Sequence, residues 1–177
     1  MNTMATTTSN PMKEIRLTKL TLNIGAGKNE DLLKKGLKLL QKLAPNVPVK
    51  TATKRRLPAW GLRPGLVIGC KVTLRKKQAE ELLRRLLVAK ENALLKDNFD
   101  STGNFSFGVP EYIDIEGMEY DPDLKIIGLE AAATLERPGF RIKRRKIRQT
   151  SVGKAHRISK EEAITFVQEK FGVEVRA

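Results

Sequence analysis

Leu66-Val-Ile-Gly-Cys-Lys-Val-Thr-Leu-Arg75 decides the fold. Leu66, Ile68, Cys70, Val72 and Leu74 alternate with Val67, Gly69, Lys71, Thr73 and Arg75, and a period of two is the signature of a strand whose faces meet different surroundings. One face is apolar throughout. The other ends in Lys71, Thr73 and Arg75, so the strand belongs to a sheet covered on one side only.

The flanking sequence repeats that pattern. Ile15 to Ile24 reads as a second strand, in which Leu20, Leu22 and Ile24 alternate with Lys19, Thr21 and Asn23. Gly25 and Gly27 then form a turn, and Asn29, followed by Glu30 and Asp31, opens a helix with Leu33, Leu37 and Leu40 on one stripe. Pro45 lies just beyond it. Val47 to Thr51 is a short strand, and Lys54 to Gly65, which holds Pro58, Gly61, Pro64 and Gly65, is a long basic loop. A helix from about Gln78 to Leu95 repeats Leu82, Leu83, Leu86 and Leu87 at helical spacing. Phe105, Phe107 and Val109 alternate in one further strand, and Ile127, Leu129, Ala131, Ala133 and Leu135 in another that ends before Pro138. Ser159 and Glu162 form a capping box for a helix over Lys160 to Phe171, closed by Gly172.

These elements predict an α+β two-layer sandwich: a mainly antiparallel sheet with helices packed on one face and the other face open. Lys19, Thr21, Asn23, Lys71, Thr73 and Arg75 fall on the open face. No repeat or linker divides the chain, so residues 13–177 are expected to form a single domain after a flexible N-terminal extension over residues 1–12. At 177 residues, 40% of them apolar, such a domain builds a core without metal or disulfide staples.

Composition narrows the function. The chain carries 34 Lys and Arg against 20 Asp and Glu, a net charge of +14 that calls for an anionic partner. The charge is segregated. Residues 51–77 hold eight bases (Lys54, Arg55, Arg56, Arg63, Lys71, Arg75, Lys76 and Lys77) and no acid; residues 137–157 hold nine (Arg137, Arg141, Lys143, Arg144, Arg145, Lys146, Arg148, Lys154 and Arg157), again with none. Residues 101–124 reverse this with six acids and no base. Two acid-free windows are the footprint of a nucleic-acid binder. No stretch approaches the roughly 20 apolar residues that span a bilayer, and Met1 to Asn10 lacks both the charge and the apolar run of a secretory signal, so a cytosolic protein is expected.

Catalytic constellations are short of parts. One cysteine, Cys70, and one histidine, His156, exclude an internal disulfide and a Cys-rich zinc site, and no cofactor or metal is expected. Gly25-Ala-Gly-Lys28 has neither the glycine spacing nor the Ser or Thr of a nucleotide loop, which leaves a tight turn able to touch a backbone phosphate. Cys70 lies on the apolar strand face, whereas His156, between Lys154 and Arg157, suits phosphate contact. The acids of 101–124 follow no calcium-loop spacing and read as a solvated or protein-facing loop. Trp60 is either a hydrophobic loop anchor or an aromatic platform for RNA bases. An RNA-processing enzyme using Cys70 and His156 is the competing reading, and a factor coating anionic membranes is disfavoured because the bases lie on strands and loops.

Four segments carry a resemblance: Leu20-Thr-Leu-Asn-Ile-Gly-Ala-Gly27, Val47-Pro-Val-Lys-Thr51, Arg63-Pro-Gly-Leu-Val-Ile-Gly-Cys-Lys-Val-Thr-Leu-Arg75 and Phe99-Asp-Ser-Thr-Gly-Asn-Phe-Ser-Phe-Gly108. In this order and spacing the sequence resembles the ribosomal protein L5 family, the 5S-rRNA-binding proteins of the large subunit, from Met12 to Val175. Arg144-Arg-Lys-Ile-Arg148 through Gly153-Lys-Ala-His-Arg-Ile-Ser-Lys-Glu-Glu-Ala163, a basic stretch and the helix after it, is similar to the archaeal and eukaryotic form, and an archaeal source is expected.

The resemblance implies a noncatalytic constituent of the large ribosomal subunit that links 5S rRNA to the large rRNA in the central protuberance. It places Asn23, Asn46, Trp60 and Thr73 at the 5S rRNA, together with Lys19, Thr21, Lys71 and Arg75 of the open face. Asn46 and Trp60 depart from the Gln and Phe of the bacterial pattern. The loop from Thr51 to Gly65 is expected to reach toward P-site tRNA. Lys54, Arg55, Arg56, Arg63, Arg141, Lys143, Arg144, Arg145, Lys146, Arg148, Lys154, His156 and Arg157 are expected to contact phosphates of rRNA or tRNA. Residues 101–124 are expected to face a small-subunit protein at an intersubunit bridge.

Overall fold

A computed structural model describes residues 10–176. Among them, β1 (Arg16–Gly25), β2 (Val49–Ala52), β3 (Val67–Arg75), β5 (Phe105–Val109) and β6 (Leu129–Glu136) make one sheet, ordered β2-β3-β1-β6-β5, in which every neighbouring pair is antiparallel. Two helices, α1 (Glu30–Leu43) and α2 (Lys76–Ala89), lie against β1 and β3, and α3 (Lys160–Phe171) follows β6 in the chain. The α+β sandwich with a mostly antiparallel sheet is therefore as the alternation predicts. None of the described helices is long and apolar enough to cross a membrane. Of the expected N-terminal extension, residues 1–9 lie outside the described residues; Pro11–Lys13 is a 3-10 turn, and the Met12 amide donates to the Asn10 side chain at 2.9 Å.

The core sits between the sheet and the helices. Leu20, Leu22 and Ile24 of β1 and Cys70, Val72 and Leu74 of β3 are all buried, facing Leu39, Leu40 and Leu43 of α1 and Leu82, Leu83, Leu86 and Leu87 of α2. Burying one such side chain contributes about 2 kcal/mol. Leu17 is buried as well, although it lies three residues before Leu20. A bulge at Thr18 in the β1–β6 pairing supplies the extra residue and restores the phase.

Local chemistry fixes the helix ends. The Asn29 side-chain oxygen accepts from the amides of Asp31 and Leu32 at 3.0 and 3.1 Å, and Glu30 and Asp31 favour the positive end of the α1 dipole. The Ser159 hydroxyl accepts from the Glu162 amide while the Glu162 carboxylate accepts from the Ser159 amide, the reciprocal cap read from the sequence. Gly172 closes α3 at φ +67°.

One expectation is refined and one corrected. The α1 stripe of Leu33, Leu37 and Leu40 does pack on the core, but it is wider than those three: Gly36, Leu39, Leu40 and Leu43 form its buried centre and Leu33 and Leu37 its half-buried margin. The second helix stops at Ala89 and does not reach Leu95. Glu91 and Asn92 take left-handed φ values of 56° and 52°, which reverse the chain, and Ala93–Leu95 becomes β4, paired in parallel with β7 (Glu174–Arg176). Leu94 and Leu95 thus serve a two-stranded ribbon and not a helix.

Backbone approach is tightest where β1 leaves the sheet. A Cβ at Gly69 would lie 2.6 Å from the Ile24 carbonyl oxygen and 3.1 Å from Thr51 Oγ1, and the Ala26 and Gly27 amides both donate to the Ile68 carbonyl. Backbone cannot yield as a flexible side chain does. Gly69→Ala is expected to lower stability by about 2 kcal/mol, measured as a lower urea midpoint at unchanged slope; an unshifted midpoint would contradict this packing.

Candidate nucleic-acid interface

The strand register places the open-face side chains in rows across the sheet. Lys19 lies between Arg75 and Thr134; Thr21 lies between Thr73 and Ala132, with Ser106 next; Asn23 lies between Lys71 and Glu130, flanked by Val49 and Gly108. Ala132, Lys71, Arg75 and Glu130 are exposed on inner strands and Ser106 on edge strand β5, so nothing among the described residues covers this face. Lys19, Lys71 and Arg75 make no ion pair among the described residues. One end of the platform is cationic and its middle is lined with hydroxyls. The Asn23 amide donates to Glu130 Oε2 at 3.2 Å, which puts a carboxylate on the face.

The long basic loop is a hairpin arm rather than an irregular excursion. Leu57 and Leu62 exchange amide-to-carbonyl bonds at 3.0 Å, the Thr53 amide donates to the Leu66 carbonyl at its base, and the Thr53 hydroxyl donates to the Arg63 carbonyl at 2.6 Å. Pro58–Trp60 forms a 3-10 turn that Gly61 ends at φ +60°. At its tip Trp60 is 70% exposed, which rules out the buried-anchor alternative for this chain. Lys54, Arg55, Arg56 and Arg63 are exposed around it. Asn46 lies at the other end of the β3 edge, where β2 does not extend; its side-chain amide donates to the Thr73 carbonyl at 2.8 Å and satisfies that bare stretch.

The segment 137–157 divides into cations that build and cations that project. Arg137, whose side chain is only 9% exposed, donates to the Lys13 and Arg157 carbonyls and to Glu162 at 2.8 Å, tying the N-terminal turn to α3. Arg144 pairs with Glu136 at 2.8 Å, and the Arg145 Nε donates to the Arg148 carbonyl at 2.7 Å. Val152 and Ile158 anchor the segment in the interior. Arg141, Lys143, Lys146, Arg148, Lys154 and Arg157 remain exposed. His156 is half-buried; its Nε2 lies 2.8 Å from the Pro138 carbonyl and must carry the proton to donate there, while its ring tilts against Phe140. That nitrogen is committed to the fold, so phosphate contact is open only to the rest of the ring.

The competing nucleophile-and-base pair does not form. Cys70 is fully buried on the helix side of β3, where a Cβ at Gly36 would lie 3.0 Å from its Sγ, and burial pushes its thiol up to about 11. His156 packs instead against Pro138 and Phe140. No group of three or more His, Cys, Asp or Glu gathers to hold a metal among the described residues.

The acidic segment is partly neutralised from within. Asp121 accepts from Lys42 at 2.7 Å and lies 3.5 Å from Lys38, and Asp123 lies 3.1 Å from Lys38, so the acids meet the lysines of α1 on the covered side of the sheet. Tyr112 is fully buried and its hydroxyl accepts from the Asp121 amide at 2.9 Å, which holds the segment in place. Glu116, Glu119 and Tyr120 stay exposed.

Three of these features add to the residues named from the sequence. Glu130, Ala132 and Thr134 join the open face through the same alternation that buries Leu129, Ala131 and Ala133, a signal present in the sequence. Glu136 and Glu162 flank the basic window and pair into it only through tertiary contact. Asn46 bonds a carbonyl 27 residues away.

Comparison with known proteins gives the same direction. Residues 10–63 match the family described as Ribosomal protein L5, and residues 67–166 match the model that describes the C-terminus of that same ribosomal family. Large ribosomal subunit protein uL5 of Nanoarchaeum equitans is 48% identical over 165 residues, 93% of this chain and 98% of the relative. The protein of the same description from Methanococcus vannielii is 45% identical over 93% of each chain, and that from Sulfurisphaera tokodaii 45% identical over 96% of this chain and 97% of the relative. The two matched regions interleave: β1 and β2 come from the first, β3, β5 and β6 from the second, and β1 lies between β3 and β6.

Hydrogen bonding by Lys42 holds the Asp121 carboxyl down at about 2, below its ordinary 3.8. A depressed acid stabilises the fold above its unfolded value and loses that contribution as pH falls through its folded one. Asp121→Asn is therefore expected to lower the melting temperature at pH 7, with the difference from the parent shrinking between about pH 4 and about pH 2. A difference that is independent of pH would exclude the ion pair as its cause. The Cys70 thiol is expected to resist iodoacetamide at pH 8 in the folded protein and to react in denaturant; rapid labelling of the native chain would overturn its placement.

Proposed function

Because the chain belongs to the ribosomal protein L5 family, we propose that its open sheet face binds 5S rRNA and that its basic segments join that RNA to the large rRNA. As a member of this family it is a structural, non-enzymatic constituent of the large ribosomal subunit and works in the cytoplasm within the ribosome. The observation that carries the proposal is the bare polar platform, with Ala132 exposed at its centre and Lys19, Lys71 and Arg75 around it, unpaired among the described residues.

Short polar groups on a rigid sheet suit folded RNA. The shallow groove of an A-form helix presents 2′-hydroxyls and base edges across a broad surface, which a helix inserted in a groove reads poorly. Here Lys19, Lys71 and Arg75 neutralise phosphates, and Thr21, Thr73 and Asn23 hydrogen-bond riboses or bases. Exposed Arg141, Lys143, Lys146, Arg148 and Lys154, with Arg144 and Arg145, extend the cationic surface to the large rRNA. The hairpin arm carries Lys54, Arg55, Arg56 and Arg63 with Trp60 at its tip, a combination of phosphate neutralisation and base stacking that fits P-site tRNA in the central protuberance. Asp114, Glu116, Glu119 and Tyr120 leave an acidic, partly aromatic surface for a neighbouring ribosomal protein, at an intersubunit bridge in this reading.

The decisive experiment is copurification: the protein is expected to carry 5S rRNA in a one-to-one particle and to protect it from nuclease. Failure to bind 5S rRNA would end the proposal. Lys71→Ala and Arg75→Ala are each expected to weaken that binding and to flatten the dependence of log affinity on log salt by about one unit per lost phosphate contact. Unchanged affinity and slope in both would move the RNA off the sheet. Thr73→Val is expected to weaken binding by about 1 kcal/mol at unchanged slope, since it removes a hydroxyl and no charge; an altered slope would show that the residue acts through electrostatics.

A further inference from the structure

A carboxylate on a polyanion-binding face opposes the charge of its ligand. Glu130 is exposed on inner strand β6, directly across from Asn23, and accepts its amide at 3.2 Å; Lys71 stands on the far side of Asn23 in the same row. Its neighbours along the face are Ala132 on its own strand and Gly108 on β5, neither of which competes for its oxygens. Glu136 and Glu162 hold arginines and Asp121 holds lysines, but among the described residues Glu130 pairs with no cation. Charge balance within the fold therefore does not explain it.

The rows of the face differ in what they offer. Arg75, Lys19 and Thr134 present positive charge and a hydroxyl; Thr73, Thr21, Ala132 and Ser106 present hydroxyls; Lys71, Asn23 and Glu130 present a cation, an amide and an anion in sequence. A phosphate over the last position meets repulsion, while a hydrogen-bond donor meets an acceptor already oriented by Asn23. In the shallow groove of RNA the donors are the ribose 2′-hydroxyl and the 2-amino group of guanine.

We propose that Glu130, positioned by Asn23, is a specificity-determining residue of the platform: it accepts a hydrogen bond from a shallow-groove donor of the bound RNA and repels a phosphate from the same place. This rests on the assignment of the sheet face to 5S rRNA. The row then sets the register of the RNA, with backbone over Lys71 and over the Arg75 and Lys19 row, and a groove edge over Asn23 and Glu130. The carboxylate trades general affinity for RNA against selection of one docking position.

The test compares the full chain with Glu130→Ala and Glu130→Gln on 5S rRNA and on bulk tRNA. Both are surface replacements, so folding is expected to persist. Glu130→Ala is expected to weaken 5S rRNA binding about tenfold, as loss of a charged hydrogen bond does, and to leave tRNA binding unchanged or tighter. Glu130→Gln, which keeps one acceptor, is expected to fall between. The donor is located with pools of 5S rRNA bearing sparse 2′-deoxy or inosine substitutions, selected for binding: the parent chain is expected to reject substitution at particular nucleotides, and Glu130→Ala to accept it there. Rescue in the 2′-deoxy pool identifies the ribose hydroxyl, and rescue in the inosine pool the guanine amine. Equal tightening on both RNAs, or rejection patterns identical to the parent's, would overturn the role of Glu130. If Lys71→Ala still weakens binding in that case, only the carboxylate's role is lost. If Lys71→Ala and Arg75→Ala are also silent, the sheet-face assignment fails with it.

Discussion

Strand β1 is hydrogen-bonded along both edges, to β3 on one side and β6 on the other, and its apolar face is sealed by α1 and α2. Every other placement follows from that double pairing. Because both registers are fixed on one strand, side chains from three strands line up in rows, and the pleat sends alternate rows to opposite faces. A slip of one residue would expose Leu20, Leu22 and Ile24 and bury Lys19, Thr21 and Asn23, at a cost of several kcal/mol in lost apolar burial alone. The same force that holds the core together thus also holds the polar platform in register.

Closeness of packing reinforces the arrangement. Gly36 lets α1 approach Cys70 and Ile24, and Gly69 lets β3 pass under the Ile24 carbonyl. A cysteine here is a small apolar filler, and its raised thiol is a consequence of the packing rather than a reactive feature. The platform is consequently rigid where RNA would rest on it. Rigidity matters because recognition by shape depends on groups that need not reorganise when the ligand arrives.

Much of this was legible in the residue pattern, and the exceptions have physical causes. Alternation survives in strands long enough to bury one face, so β1, β3, β5 and β6 were readable, as was α3 from its reciprocal cap at Ser159 and Glu162. The α1 stripe was readable from Leu33, Leu37 and Leu40, but its buried centre was not, because a glycine, Gly36, makes a close approach to the sheet there. The end of α2 was misplaced because left-handed Glu91 and Asn92 redirect a leucine-rich run that otherwise looks helical. Charge was harder to read than periodicity. Counting acids within residues 137–157 misses Glu136 and Glu162, which neutralise Arg144 and Arg137 from just outside the window, and counting acids within 101–124 misses the α1 lysines that Asp121 and Asp123 engage. Linear windows record composition, whereas ion pairs depend on the fold.

That redistribution gives the molecule a front and a back. On the helix side Asp121 and Asp123 pair with Lys38 and Lys42, while Lys19, Lys71 and Arg75 stand without ion-pair partners among the described residues on the sheet side. Packed layers of secondary structure lie about 10 Å apart, and at physiological salt the screening length is about 8 Å. An RNA on the open face therefore feels the cations beneath it far more strongly than the acids beyond the helix layer. The net charge of +14 alone would attract any polyanion to any surface; the rows of the open face give that attraction a defined geometry there. Of the β6 carboxylates on that face, Glu136 is offset by Arg144, and Glu130 alone opposes the ligand's charge among the described residues. Steering by the cations and exclusion by one carboxylate then act on the same small patch and favour a single orientation of the ligand.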